Sequence, residues 1–324
     1  MCGIAGFSRP EGATSIKNGR TFAIALAIGI EPRGRDATGF AWWENGDADN
    51  VWYSKKKGRA TTVAPTAPLP KQGISTLVAH TRYLTLGSAE FNDNNHPVVS
   101  EHITAVHNGR VENHNEIIEM TGLPRVGTVD SWAIAAMLSQ QKVLGASHPT
   151  ELLETVEGVS AISWLDATEP DVLHLARLST RPLTVGWTKR GDLVFSSTRS
   201  TLLKASTLAR IAITDIMDVP EGTYMKVKHG EFQEYSGFTV RHPVEVAVDA
   251  DMPGFKRGAK RKQITLPASG VTSYDPSNLD GFDAWEDQID WDNLVSRRGW
   301  KDHDLDWSGQ AYFGETTDSI YSRK

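Results

Sequence analysis

Apolar and polar positions along this chain come in short blocks, and the period of each block separates strands from helices. Gly3-Ile4-Ala5-Gly6-Phe7 is an apolar run of strand length. From Ser15 to Glu31, the residues Ile16, Phe22, Ile24, Leu26, Ile28 and Ile30 stand among small neighbours, and Pro32 closes the run. The residue before a proline is driven away from helical backbone, so the pattern predicts a largely buried helix ending at Glu31. Phe40-Ala41-Trp42-Trp43 and Val51-Trp52-Tyr53 flank Asn45-Gly46, which predicts a hairpin. Pro65, Pro68 and Pro70 predict an extended surface connection.

From Ser75 onward strand patterns dominate. The run 76–82 predicts a buried strand leading into Tyr83-Leu84-Thr85-Leu86-Gly87, and a polar loop with Asn92, Asn94 and Asn95 ends at His96-Pro97. The run 103–107 predicts another strand, continuing into Asn108-Gly109. Helical patterns follow at Asn113 to Met120 and Ser131 to Leu144, the second with Asp130 at a favourable N-cap position. Short alternating runs at 160–165, 172–177, 183–187, 193–196 and 224–227 complete the pattern. Short strands joined by turns, with helices between the blocks, predict mixed α and β structure on antiparallel sheets.

Composition shifts near Val240. Lys256, Arg257, Lys260, Arg261 and Lys262 crowd into a basic run followed by Pro, Ser, Gly and Asn, predicting a linker over 239–280. Residues 281–324 are acidic and carry Trp285, Trp291, Trp300 and Trp307 with few aliphatic neighbours. Such a segment buries too little apolar surface for a core of its own, which leaves two readings. It is a disordered tail with one short helix around Trp285 to Arg298, or a docking segment with aromatic anchors. The 324 residues are 39% apolar and 23% charged with net charge −6, a globular composition that gives no reason to expect nucleic acid as a ligand. The longest apolar stretch, Phe22 to Ile30, falls short of the roughly 18–20 residues that cross a bilayer, so no membrane association is expected. One cysteine makes no internal disulfide and no leader pattern precedes it, so the expected location is cytoplasmic.

That single cysteine is Cys2. Once Met1 is removed, Cys2 carries a thiol and a free α-amine on one residue, a nucleophile with its own base. An α-amine has a reference pKa of about 7.7–8.0, so a useful fraction is neutral near neutral pH. Gly3 and Gly6 let other backbone pass close by. Lys55-Lys56-Lys57-Gly58-Arg59 reads as a solvated loop after an edge strand in preference to a phosphate site. His80, His96, His102, His107 and His114 do not recur with acidic or thiol ligands at a metal spacing, so neither a metal nor another cofactor is expected.

Five motifs then occur in order: Cys2-Gly3-Ile4-Ala5-Gly6; Arg33-Gly34-Arg35-Asp36-Ala37-Thr38-Gly39; His80-Thr81-Arg82-Tyr83-Leu84-Thr85-Leu86-Gly87; Asn108-Gly109 with Glu112-Asn113; and Asp130-Ser131. This set resembles the class II glutamine amidotransferases, the N-terminal nucleophile domains found in glucosamine-6-phosphate synthase, amidophosphoribosyltransferase and asparagine synthetase. The resemblance spans about residues 2–235, and 2–238 is taken as the domain. It implies an α+β fold, a four-layer α/β/β/α N-terminal nucleophile hydrolase sandwich, followed here by an irregular C-terminal tail.

The resemblance also implies a reaction: L-glutamine is hydrolysed to glutamate and ammonia through a γ-glutamyl thioester on Cys2. An amide is a poor electrophile, so the reaction needs a thiolate-forming nucleophile and a stabilised oxyanion. By the same resemblance Asn108 and Gly109 form the oxyanion hole, Arg82 pairs the substrate carboxylate, Asp130 its ammonium, and Thr85 adds a contact. Arg33 and Asp36 brace the nucleophile loop, with Tyr83 in support. The glucosamine synthase branch usually has histidine where Leu86 stands, whereas Leu86 and Tyr83 sit closer to the amidophosphoribosyltransferase branch, which leaves the ammonia acceptor open. Family members normally continue into a synthase domain, and no Gly-rich phosphate loop is visible here, so a separate ammonia-accepting synthase chain is expected. Two alternatives stand beside this reading: an amidase for another substrate on the same fold, and a non-catalytic regulatory or binding subunit. The pairing of Arg82 with Asp130 argues against the first, and the presence of Cys2, Asn108 and Gly109 against the second.

Overall fold

The computed structural model describes residues 2–12, 19–241 and 321–323, all within one unit of the chain. The 242–280 part of the linker and nearly all of the tail, with its four tryptophans, lie outside the described residues. Strand β1 (Gly3–Ser8) is buried at every position. Helix α1 (Gly19–Ile30) is buried at ten of its positions, so it has no polar face to give to solvent. It stops one residue earlier than expected, because Glu31–Arg33 tightens into a 3-10 turn that accommodates the fixed backbone of Pro32. Strands β2 (Ala37–Glu44) and β3 (Val51–Lys57) form the hairpin, with Gly46 at φ +86° in the turn.

Two expectations for the next stretch change. Lys55, Lys56 and Lys57 belong to β3, not to a loop, because cross-strand pairing continues through Gly39↔Lys55 to Ala37↔Lys57. The proline-bearing connection begins as helix α2 (Ala60–Val63) and a 3-10 turn over Ala64–Thr66, and buries Ala60, Val63, Ala64 and Leu69. Strand β4 (Ile74–Arg82) is fully buried. It is followed by β5 (Val98–Ser100), β6 (Ile103–Val111), and helices α3 (His114–Thr121) and α4 (Ser131–Ser139). Helix α4 ends five residues before Leu144, where the Gln140 N–H is shared between the carbonyls of Ala136 and Met137 and the last turn tightens. A short helix, α5 (Pro149–Leu153), leads to strands β7 (Gly158–Asp166), β8 (Val172–Arg177), β9 (Thr184–Thr188) and β10 (Leu193–Ser196). Helix α6 (Arg199–Ala209), β11 (Ile213–Asp218), β12 (Thr223–Lys228) and β13 (Glu231–Gly237) follow. Tyr321–Arg323, inside the segment read as an irregular tail, forms β14 and pairs antiparallel with β3.

Two antiparallel sheets result. The first runs β11-β9-β10-β1-β4-β2-β3-β14 and the second β13-β12-β8-β7-β6-β5. Their facing sides share one core, in which Ile4 and Val78 meet Val106, Leu175 and Met225. On the outer side of the second sheet, Trp132, Ala133 and Met137 of α4 pack on Ile103, Ala105 and Ile162. The outer side of the first sheet is covered by α1, with Phe22 stacked on Phe7 at 5.7 Å. Helix α6 packs tightly on α1, because a side chain at Gly29 would lie 2.8 Å from the Thr201 carbonyl oxygen. The layers are therefore α/β/β/α, the sandwich anticipated from the motifs. Among the described residues no helix is long and apolar enough to cross a membrane.

Candidate active site

The register of the first sheet decides what surrounds the thiol. Gly3 pairs with Thr81, so Cys2 lies where β4 runs out at Arg82 and the loop begins at Tyr83. The Tyr83 N–H donates to Cys2 Sγ at 3.4 Å. Gly3 admits no side chain, since a Cβ there would sit 2.7 Å from Ile30 Cβ and 2.8 Å from Thr81 Oγ1. Arg33 Nε donates to the Cys2 carbonyl at 3.1 Å, and Asp36 Oδ2 accepts from the Leu84 N–H at 2.6 Å. Both residues thus tie Cys2 and the loop beside it to the turn after α1. Burial pushes the Cys2 thiol above its ordinary value, opposed by the Tyr83 N–H and the Arg82 charge and reinforced by Asp130. A base is needed to make the thiolate.

The second sheet supplies donors along one open edge. Opposite Gly109 is Ser160, whose N–H and C=O turn the other way, to Ser179 and from Leu178. In an antiparallel ladder this makes Gly109 a non-hydrogen-bonded partner of β7, so its own N–H points to the far edge of β6. The neighbouring strand β5 pairs only as far as Ala105, which leaves that edge uncovered. The His107 carbonyl on the same edge accepts from His80 Nε2 of β4 at 3.1 Å, in the hydrogen-bonding tautomer that donates there, and so joins the two sheets. The Val111 N–H, again on this edge, donates to Asp130 Oδ2 at 2.7 Å. Asn108 alternates to the inter-sheet side with Val106, is 0% exposed, and has no hydrogen-bond partner on either amide atom.

Asp130 does not cap α4 with its side chain, contrary to the expectation from its position; the carboxylate reaches across to β6 instead. Arg82 is buried, and its fork is engaged. Nη1 donates to Asn95 Oδ1 at 2.8 Å, and Nη2 donates to the carbonyls of Leu86 and Gly87 at 2.5 and 2.6 Å. Both protons of Nη2 are spent on the loop, so a bidentate carboxylate needs those carbonyls to yield. Burial pushes the Arg82 guanidinium down, while the charges of Cys2, Asp36 and Asp130 pull it back up, which places all four groups within one electrostatic neighbourhood. Thr85 is exposed on the loop, and Tyr83, 54% exposed, meets the thiol through its backbone.

Several residues that sequence reasoning did not single out as site residues support this arrangement. Lys55 Nζ donates to the carbonyls of Asn95 and Pro97 at 2.9 Å each and so holds the loop that offers Asn95 to Arg82; burial pushes it down to about 8. His80 and His96 stack at 4.0 Å, and burial pushes His80 down to about 3 and His96 well below its ordinary value, so both rings are neutral. Burial also lowers Arg181, which feels the charge of Cys2. Lys55 lies in a basic run visible in the sequence, but its place beside the site depends on pairing of β3 with β2. Among the described residues no three His, Cys, Asp or Glu side chains are grouped to hold a metal ion.

Comparison with known proteins follows the same line. Residues 80–204 match a family described as Glutamine amidotransferase domain. Glutamine--fructose-6-phosphate aminotransferase [isomerizing] from Pectobacterium atrosepticum is 28% identical over 273 residues, covering 82% of this chain and 42% of its own length. The enzyme of the same name from Bacillus cereus is 30% identical over 253 residues, covering 74% of this chain and 39% of its own. The chain therefore spans about two fifths of the length of these curated relatives. Among solved structures, glutamine phosphoribosylpyrophosphate amidotransferase from B. subtilis aligns at a TM-score of 0.58 with 16% identity, over 74% of this chain and 50% of that one. A structure of the allosteric regulatory enzyme of purine biosynthesis aligns at 0.59 with 16% identity over the same shares, and both show the fold. Over residues 80–204 the chain carries a glutamine amidotransferase domain, and its fold is the one these amidotransferase structures share.

Proposed function

We propose that this domain hydrolyses L-glutamine to glutamate and ammonia with Cys2 as nucleophile. The observation that carries the reading is the side-chain amide of Asn108, wholly buried and unpartnered on both atoms. A buried amide without a hydrogen bond costs about 1–3 kcal/mol, a penalty that a substrate oxyanion would relieve. In this mechanism the α-amine exposed by removal of Met1 takes the thiol proton, which offsets the upward push of burial on Cys2. The thiolate attacks the side-chain amide carbon of glutamine, and the oxyanion accepts from Asn108 Nδ2 and the Gly109 N–H. Collapse expels ammonia, which takes a proton as it leaves, and forms the γ-glutamyl thioester. Water then attacks the thioester, releasing glutamate and restoring the thiol. Asp130, with Oδ2 held by Val111, presents its other oxygen to the substrate ammonium. Arg82 takes the carboxylate as the carbonyls of Leu86 and Gly87 give way, with Thr85 beside it.

The ammonia passes, in this proposal, to a synthase carried on a separate chain, and the segment 281–324 helps to dock it. What supports a further catalytic part is that more than half of each curated relative's length lies outside the match. A glutaminase assay on the purified protein tests the central claim. Turnover of glutamine, labelling of Cys2 by an electrophilic glutamine analogue, and absence of Met1 by mass spectrometry are the expected results. Labelling elsewhere, or full activity with Met1 retained, would overturn the mechanism. Deleting residues 281–324 is expected to spare the basal rate and abolish stimulation by the synthase, and equal stimulation of both forms would refute the docking role.

A further inference from the structure

Beneath the oxyanion edge lies a buried imidazole that the proposed mechanism does not use. His107 is 2% exposed and its side chain points from β6 towards α4. Nδ1 lies 2.8 Å from Ser131 Oγ, at the first residue of α4, and Nε2 lies 2.9 Å from Ser160 Oγ on β7. Its backbone carbonyl holds His80. Ser131 follows Asp130, and Ser160 is the cross-strand partner of Gly109. The packing over Gly109 is close, since a side chain there would come 2.6 Å from His107 Nε2.

We infer that His107 is a positioning residue with two arms: Nδ1, through Ser131, sets Asp130 for the substrate ammonium, and Nε2, through Ser160, sets the Gly109 donor for the oxyanion. This inference rests on the glutaminase reading. A neutral imidazole has one donor and one acceptor nitrogen, so one serine donates to the ring and the other accepts from it. Burial pushes His107 down to about 4, which keeps the ring neutral and both arms in place through the neutral range. The rigidity matters because the His107 contacts join three separate elements, β6, β7 and α4, and displacement of a donor by about 1 Å can cost on the order of 100-fold in rate.

The two arms separate in kinetics. Removing the Ser131 arm frees Asp130, which binds ground state and transition state alike, so KM changes. Removing the Ser160 arm loosens Gly109, which matters as the oxyanion forms, so kcat changes. Steady-state glutamine hydrolysis by the full chain is measured for Ser131→Ala, Ser160→Ala, His107→Asn, His107→Gln and His107→Phe, each with a thermal melt. Ser131→Ala is expected to raise KM about 3- to 10-fold with kcat within about twofold, and Ser160→Ala to lower kcat by a similar factor with KM little changed. An asparagine amide occupies the place of Nδ1 and a glutamine amide that of Nε2. His107→Asn should therefore keep the Ser131 arm and behave as Ser160→Ala, while His107→Gln should keep the Ser160 arm and behave as Ser131→Ala. His107→Phe should show both defects, with kcat down roughly 10- to 100-fold. If the folded variants melt earlier yet keep wild-type kcat and KM, or if both serine variants move the same parameter, His107 only fills the core and the inference is wrong. Should His107→Phe fail to fold, the two serine variants decide. A wild-type protein that does not turn over glutamine overturns the glutaminase reading and this inference with it, whereas wild-type turnover with unsplit variants overturns the inference alone.

Discussion

The second sheet carries two buried polar clusters that differ in how their groups are satisfied. Around Trp164, stacked on His174 at 4.7 Å, the polar atoms are paired with one another. His174 Nδ1 meets the Tyr224 hydroxyl at 2.9 Å, Nε2 stands 3.0 Å from Glu169 Oε2 as a charge contact outside hydrogen-bond geometry, and Lys226 Nζ donates to the same carboxylate. Along the open edge of β6 the pattern reverses. Both amide atoms of Asn108, both ring nitrogens of His96 and Nδ1 of His80 are buried without a hydrogen-bond partner. A closed cluster lowers the free energy of the folded chain; an open one raises it unless something else completes it. The difference supports the proposed reading of the β6 edge as the ligand side of the sheet and of the Trp164 cluster as a device of stability.

The largest effect is expected at the nucleophile. Cys2→Ala should lower glutamine hydrolysis by roughly 10⁴-fold or more while the melting temperature hardly moves, because little volume is lost. Retained turnover would remove Cys2 from the chemistry. Asn108→Ala tests the contrast directly. It should lower kcat by about 10²–10³-fold, the usual cost of one oxyanion donor. It should also leave the melting temperature unchanged or raise it, since the lost amide makes no hydrogen bond and its burial penalty disappears. A clear loss of stability with intact kcat would mean that Asn108 belongs with the structural cluster. Arg82→Ala should act mainly on KM, raising it roughly 10- to 100-fold through loss of charged hydrogen bonds to the substrate carboxylate.

Tyr224→Phe is the mirror experiment. It leaves His174 Nδ1 unpaired in a buried site, which costs about 1–3 kcal/mol and moves the melting temperature down by several degrees. Glutamine kinetics should not change. If kcat falls with Tyr224→Phe, the two clusters communicate and the contrast between them fails.

How much of this was legible in the sequence follows the same divide. Cys2, Arg82, Asn108-Gly109 and Asp130 stood out as candidates because each lies in a short local motif, which the fold places just before β1, at the end of β4, within β6 and just before α4. Their partners did not. His107 depends on serines 24 and 53 residues away, and Arg82 on an asparagine whose loop is pinned by Lys55 from another strand. Helix α6 went unread because its buried stripe is Thr201, Leu202, Ala205 and Ala209, too small and too polar to stand out, although Thr198 and Thr201 form a capping box. Strands β11 and β13 are largely exposed, so they lack the apolar alternation that marked the inner strands. The Asp130 side chain misled for a different reason: capping is a local choice, and a buried N–H on β6 outcompeted it.

The smallest effect expected is also the one with a pH signature. Contact with His174 Nε2 at 3.0 Å, opposed by burial and aided by Lys226, holds the Glu169 carboxyl at about 2, below its ordinary range. A carboxylate depressed in the folded state contributes stability in full above its unfolded value, near pH 4.5, and loses it as pH falls through about 2. The Glu169 side chain is 35% exposed, so water and salt screen the pair and the contribution is held to about 1 kcal/mol at most. Glu169→Gln should therefore melt a few degrees lower than the wild-type protein at pH 7, with the gap narrowing between pH 4.5 and 2 and closing below that. Glutamine turnover at pH 7 should be the same in both, because Glu169 answers to the closed cluster and not to the β6 edge. A gap that is constant with pH would show that the carboxylate's charge is not what stabilises the cluster, and a gap that widens in acid would reverse the sign of the linkage.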